Sequence, residues 1–240
     1  MRYFGLIGKS LSHSFSKRFF TSKFEAEGID AIYSLYELED VAHIDALIAE
    51  QQLAGFNVTI PYKVAIMPYL DELTDEAREA GAVNCVVLKQ GRKVGHNTDI
   101  AGIEASLHWL DIEGCEALIL GSGGASKAVQ YVLHKQQIPF KVVSRDKERG
   151  DITYAELTDE IIKSHKLIIN TTPLGMFPDT ESSPEINYDA LTEQHRVLDI
   201  VYNPAETLFL KRAKERGATT MGGMMMLQTQ AIASWHFWNR

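Results

Sequence analysis

Cysteine is nearly absent from this chain, and the two residues present, Cys85 and Cys115, share no CxxC spacing. That excludes a disulfide framework and predicts a reducing compartment. No apolar run approaches the roughly 20 residues that a membrane-spanning helix needs. The N-terminal run YFGLIG is too short for a secretory h-region, and Lys9 interrupts it. The expectation is a cytoplasmic protein with no membrane partner. Positive charge is not in excess either. Lys and Arg number 24 against 32 Asp and Glu, a net charge of −8, which opposes nucleic-acid binding. A small anionic substrate stays open, because a local set of donors can hold an anion on an acidic protein. The eight histidines show no HxxxH or CxxH spacing, so no metal is expected. Internal repeats and low-complexity tracts are missing as well.

What remains is an ordinary globular composition, 45% hydrophobic and 23% charged over 240 residues, enough for one large domain or two small ones. Strands are predicted over 2–8, 31–38 and 55–60. Helices are predicted over 16–28, with Gly28 as the stop, and from about Val41 to Ile48. The run AVNCVVL (82–88) breaks this alternation and reads as an edge strand, and QGRKVG after it reads as a hairpin turn. A helix near 100–110 marks a boundary. A second alternation then places strands at 117–121, 140–145, 166–170 and 196–201, with a helical stretch between each pair. A last helix covers 224–238, where Trp235 and Trp238 read as core or interface residues and Met224–Met226 as packing. Two αβ domains follow, each with a mostly parallel sheet, and the cleft between such domains is a preferred ligand site.

Several motifs carry chemistry. In LILGSGGASKAV, Gly121 and Gly123 match the first two glycines of a dinucleotide fingerprint, while Ser126 stands where the third is usual. A strand precedes this loop and a helix follows it, so free helical N–H groups can meet a pyrophosphate. At the end of the next strand, where an NAD site places an acid, the chain has Ser144, Arg145 and Lys147. A guanidinium suits a 2′-phosphate, which favours NADP, although Asp146 complicates the charge. Asp99, in GHNTDIAG, reads either as a helix N-cap or as a functional carboxylate. Ser10, Ser12, Ser14 and Ser16 read either as helix caps or as donors to a carboxylate. Lys63, in NVTIPYK, is a solvated loop lysine or a titrating group in a cleft.

Taken together these segments resemble the shikimate dehydrogenase family, over nearly the whole chain and in the family's order. GLIGKSLSHSFS is similar to the opening strand and HSxS loop, NVTIPYK to NVTxPxK, GAVNCV to the segment carrying Asn84, and NTDIAG to NTDxxG. GSGGASKA resembles the glycine loop, NTTPLGM is a family marker, and DIVYNPAETLFL and MLQTQA supply Tyr202 and Gln230. Lys17 and Ser10 stand where prolines are usual, and Ser144 and Asp146 flank Arg145 where NRT is common.

The resemblance implies reversible NADPH-dependent reduction of 3-dehydroshikimate to shikimate in chorismate biosynthesis. It implies Lys63 and Asp99 as the catalytic pair. Ser14, Ser16, Thr59, Lys63, Asn84, Asp99, Tyr202 and Gln230 would bind substrate. Gly121, Gly123, Gly124, Ala125, Ser144, Arg145, Lys147, Thr171, Ile200 and Gly223 would bind NADP. The expected fold is α/β, with residues 1–101 and 223–240 as the substrate domain and 102–222 as a Rossmann-like domain, in a monomer or homodimer. The alternatives are a quinate/shikimate enzyme using NAD and a non-catalytic dinucleotide or shikimate sensor.

Overall fold

In the computed structural model, which describes residues 1–11 and 14–240, the chain divides into two units: Met1–Thr98 with Ala231–Arg240, and Asp99–Gln230. In unit 1 the apolar run RYFGLIG is strand β1 (Arg2–Gly8), followed by helix α1 (Phe15–Glu27). Ser14 caps α1 by accepting from the Lys17 N–H. Gly28 ends it at φ 62°, a left-handed turn that glycine enters cheaply. Then come β2 (Ala31–Glu37), α2 (Ile44–Gln51), β3 (Leu53–Val58), α3 (Tyr62–Ala65), β4 (Glu72–Leu73), α4 (Asp75–Ala80), β5 (Cys85–Lys89) and β6 (Arg92–His96).

The sheet order is β2-β1-β3-β5-β6-β4. Strands β1, β2 and β3 run parallel, while β5 is antiparallel to both β3 and β6. Two expectations are corrected here. The strand expected at 82–88 is interior rather than an edge, because the hairpin to β6 continues the sheet and β4 pairs beyond it. The strand expected over 55–60 ends at Val58, so Thr59 and Ile60 belong to the turn, and Lys63 sits in the short helix α3.

Strand β1 is buried on both faces, which is why its sequence is an unbroken apolar run. Phe4 and Leu6 join Phe20, Phe24, Tyr33 and Trp238 on one side, and Ile7 joins Ile44, Phe56, Val58 and Tyr62 on the other.

Unit 2 consists of α5 (Asp99–Leu110), β7 (Ala117–Leu120), α6 (Gly124–Lys135), β8 (Phe140–Ser144), β9 (Ile152–Thr153), α7 (Asp159–Ser164), β10 (Leu167–Asn170), β11 (Arg196–Asp199), α8 (Leu208–Glu215) and β12 (Thr219–Met221). The order β12-β11-β10-β7-β8-β9 is parallel throughout. This is the doubly wound, Rossmann-like arrangement expected, with the order reversing between β7 and β10. The α-helix expected between β10 and β11 is absent. Pro173, Pro178 and Pro184 interrupt that stretch, each lacking a backbone donor, and only a 3₁₀ turn (Tyr188–Ala190) forms.

Helix α9 (Met224–Trp238) begins in unit 2 and ends in unit 1. Trp238 is a core residue and Trp235 is partly buried against that core, in line with one of the two expected readings. Trp238 stacks on Phe4 at 4.6 Å and donates its indole N–H to the Val86 carbonyl at 3.0 Å. Of the run expected to pack, Met226 is buried, whereas Met224 is 41% exposed. Among the described residues, no helix is long and apolar enough to cross a membrane.

Candidate active site

The expected substrate residues of unit 1 collect at one end of its sheet. Parallel strands β1 and β3 end there, and antiparallel β5 begins there. Ser14 and Ser16 open α1 beyond β1. Thr59 follows β3, its N–H bonded to the Ile7 carbonyl at 2.9 Å. Lys63 lies in α3, held by the Val83 N–H on its carbonyl at 2.7 Å. Asn84 immediately precedes β5, and its backbone spans Val58 and His96. Carboxyl ends of parallel strands are the usual place for ligands in such sheets.

The two serines differ in what they can offer. Ser14 Oγ accepts from a backbone N–H, which leaves its own proton to donate. Ser16 is buried, and the Tyr33 phenol donates its proton to Asn57 Oδ1 at 2.9 Å. Ser12, counted with this donor set, lies outside the described residues.

Asn84 is 3% exposed, and its Oδ1 accepts twice from Thr98: from the backbone N–H at 2.7 Å and the hydroxyl at 3.1 Å. Sequence reasoning missed Tyr33, Asn57, Thr98 and Ser234, which join this network. The signal available was an asparagine inside the apolar run GFNVTI.

In unit 2, Asp99 is the first residue of α5 and 3% exposed, so it is a helical residue rather than an N-cap. Tyr202 is half-buried beyond β11. Gln230 on α9 is 9% exposed and donates to the Leu227 carbonyl at 2.9 Å.

The expected dinucleotide residues lie at the carboxyl ends of the unit 2 strands. Gly121 has φ 107°, and a Cβ there would stand 2.8 Å from Thr171 Oγ1, so both conformation and space demand glycine. Gly123 is different: its φ is −83°, and a Cβ would meet nothing within 4 Å. Neither strain nor packing explains a glycine there, at the N-terminus of α6, whereas the close approach of a phosphate does. Gly124 and Ala125 open α6, and Ser126, in place of the third glycine, is fully buried. Ser122 Oγ lies 3.2 Å from Ser144 Oγ, tying this loop to the end of β8. Thr171 faces Gly121 across the point where strand order reverses, and Gly223 packs on the Ile200 carbonyl. The residues therefore fit a dinucleotide.

Arg145, Asp146 and Lys147 are exposed beyond β8. Lys147 Nζ is held by Glu156 at 2.7 Å, and Asp146 caps the following turn through the Glu148 N–H at 3.0 Å. Asp199 and Asn170 were not anticipated. Asp199 is fully buried, and Asn170, Val201 and Thr207 all donate to its carboxylate. Burial nevertheless pushes its pKa up to about 6.

Comparison with known proteins points to one family. Residues 6–86 match the model of the shikimate dehydrogenase substrate binding domain. A protein of Methanococcus maripaludis named shikimate dehydrogenase (NADP(+)) is 37% identical, covering 98% of this chain and 90% of that protein. The crystal structure of shikimate dehydrogenase 1 from Peptoclostridium difficile superposes with a TM-score of 0.87 at 35% identity, covering 100% of this chain and 92% of that one. A Thermus thermophilus shikimate 5-dehydrogenase, solved in complex with NADP(H) and shikimate, gives 0.88 at 29% identity, covering 99% and 93%. Near-complete coverage at this identity, over both units, places the chain in the shikimate dehydrogenase family.

Proposed function

We propose that the chain catalyses the reversible NADPH-dependent reduction of 3-dehydroshikimate to shikimate. The observation that carries this reading is the gathering of Ser14, Thr59, Lys63 and Asn84 at one end of the unit 1 sheet, in a chain related to shikimate dehydrogenases over its full length. NADPH supplies the hydride when bound. The protein's own part is binding, orientation and one proton. Residues 1–101 and 223–240 are the substrate part and 102–222 the cofactor part.

Ser14 donates to the ring carboxylate at the positive end of α1, with Ser16 beside it. Thr59, Asn84, Tyr202 and Gln230 fix the ring oxygens. Lys63 gives the Nζ proton to the carbonyl oxygen as that oxygen gains charge, and takes it back in the oxidation direction. Asp99 is the second catalytic residue. Gly121, Gly123, Gly124, Ala125, Thr171, Ile200 and Gly223 admit the dinucleotide. Arg145 holds the 2′-phosphate beside Ser144, because the ammonium of Lys147 is already engaged by Glu156.

The test is a spectrophotometric assay of shikimate and quinate oxidation, each with NADP and with NAD. Turnover of shikimate with NADP, exceeding the other three combinations, supports the reading. Preferred turnover of quinate with NAD would replace it with the related activity, and no turnover of either acid would leave a sensor.

A further inference from the structure

Unit 1 buries a run of polar side chains behind its substrate end. Tyr33, Asn57, Thr98 and Ser234 are 2%, 5%, 1% and 0% exposed. Each would cost about 1–3 kcal/mol if left unpaired. They are instead paired with one another, and the chemistry of the partners fixes the direction of every bond. Tyr33 is fully buried, and burial pushes its phenol well above the usual range, so it is a neutral donor. Its proton goes to Asn57 Oδ1 at 2.9 Å, because an amide oxygen can only accept. The Asn57 amide is thereby turned so that Nδ2 donates to Ser234 Oγ at 2.8 Å and to the Asn84 carbonyl at 3.2 Å. At the far end, Thr98 Oγ1 must donate to Asn84 Oδ1 at 3.1 Å, for the same reason as Tyr33. The 3.0 Å contact between Ser234 and Thr98 hydroxyls is then donated by Ser234. Protons run one way along the chain, from Tyr33 to Asn84, and strand β3 and helix α9 each contribute one link.

We infer that Tyr33, Asn57, Ser234 and Thr98 are positioning residues that lock the side-chain amide of Asn84 with its oxygen inward, so that Asn84 meets the substrate through its N–H₂ group. The inference rests on Asn84 being a substrate residue and deepens that reading. It names the atom that touches the acid and requires the substrate oxygen at Asn84 to accept a hydrogen bond. A hydroxyl bound there keeps its own proton for another partner.

Thr98 supplies the discriminating pair of variants. Thr98→Val keeps the shape and loses the hydroxyl, whereas Thr98→Ser keeps the hydroxyl and loses a methyl. A relay makes Val the damaging change, and a packing role makes Ser the damaging one. Thr98→Val and Ser234→Ala should each raise the KM for shikimate about three- to tenfold, the worth of one net hydrogen bond. The KM for NADP should stay within about twofold, since the whole network lies in unit 1 and the glycine loop lies in unit 2. Thr98→Ser should stay near wild type. Adding Ser234→Ala to an Asn84→Ala background should change the shikimate KM no further, because the relay acts through Asn84. Additive effects in that cycle, a Thr98→Ser loss exceeding that of Thr98→Val, or equal shifts in both KM values would overturn the relay and leave Asn84 a substrate residue. An Asn84→Ala variant with an unchanged shikimate KM would overturn both.

Discussion

Replacing Asp199 by Asn should change how the stability of unit 2 depends on pH. Asp199 ends β11 with no exposed surface. Its Oδ1 accepts from Asn170 Nδ2 and the Val201 N–H, both at 3.0 Å, and its Oδ2 accepts from the Thr207 hydroxyl at 2.6 Å. Those donors favour the charged form, but burial outweighs them and lifts the pKa from 3.8 to about 6. Between these values the folded protein holds a proton that the unfolded chain has lost. Stability therefore falls as pH rises through this window, and the penalty is complete above about pH 6. A shift of about two units corresponds to about 3 kcal/mol. The Asn side chain has the same shape, does not titrate, and keeps one oxygen for Asn170 and Val201, while Thr207 must turn to accept. Its stability relative to wild type should thus rise by about 2–3 kcal/mol between about pH 4 and about pH 7.5, whatever the constant offset from Thr207. Urea-dependent hydrogen exchange of peptides covering β10 and β11 isolates unit 2 from unit 1. A difference between the two proteins that stays flat across pH would refute the argument and show that the carboxylate ionises in the folded state as easily as in the unfolded chain.

Other outcomes test the site directly. Lys63→Ala should lower kcat by about 10²–10⁴-fold with a smaller change in KM, and Lys63→Arg should restore binding but not rate, because a guanidinium does not release its proton. Stopped-flow or steady-state rates decide this, and near-wild-type kcat in Lys63→Arg would remove the proton-transfer role. Ser14→Ala should raise the KM for shikimate and also cost about 1 kcal/mol of stability through the lost N-cap, measured by thermal melting alongside kinetics. Arg145→Ala should weaken NADP at least about tenfold more than NAD, whereas Lys147→Ala should shift that ratio less, because Glu156 already holds the Lys147 ammonium. Kinetics with both dinucleotides give the ratios, and a larger effect from Lys147 would reverse the assignment.

The elements legible in the sequence are those with several turns or a full buried run: α1, β7, α6, β10, β11 and α9. The two- and three-residue strands β4, β9 and β12 are too short to show periodicity, and they exist because a neighbouring strand pairs with them. The interior place of β5 was hidden for a related reason: hydrophobicity reports burial, and which strand lies alongside is a long-range property. At the site, the glycine loop and the motifs carrying Lys63, Asn84 and Asp99 are legible. The pairings did not. Ser234 meets Thr98 across 136 residues of sequence, and no local pattern encodes such a contact. Lys147 looked like a cofactor cation because its partner, Glu156, arrives nine residues later from the turn after β9. A strand-end aspartate such as Asp199 reads as solvent-facing until burial is known.

Helix α9 imposes an order on synthesis. Its last residues bring Trp235, Phe237 and Trp238 into the core that Phe4, Phe20 and Phe24 begin. Those first aromatics leave the ribosome early, but the surface that covers them is translated only after the whole of unit 2. At roughly 5–20 residues per second, the wait is on the order of ten seconds. Throughout it, the aromatic face of β1 and α1 lacks its lid, and unit 2 has all its strands before that lid is made. The nascent chain thus carries an unfinished apolar face next to a finished domain, the situation that a holdase chaperone recognises. A chain ending at Gln230 and released from the ribosome should show a folded unit 2 with unit 1 still sensitive to protease.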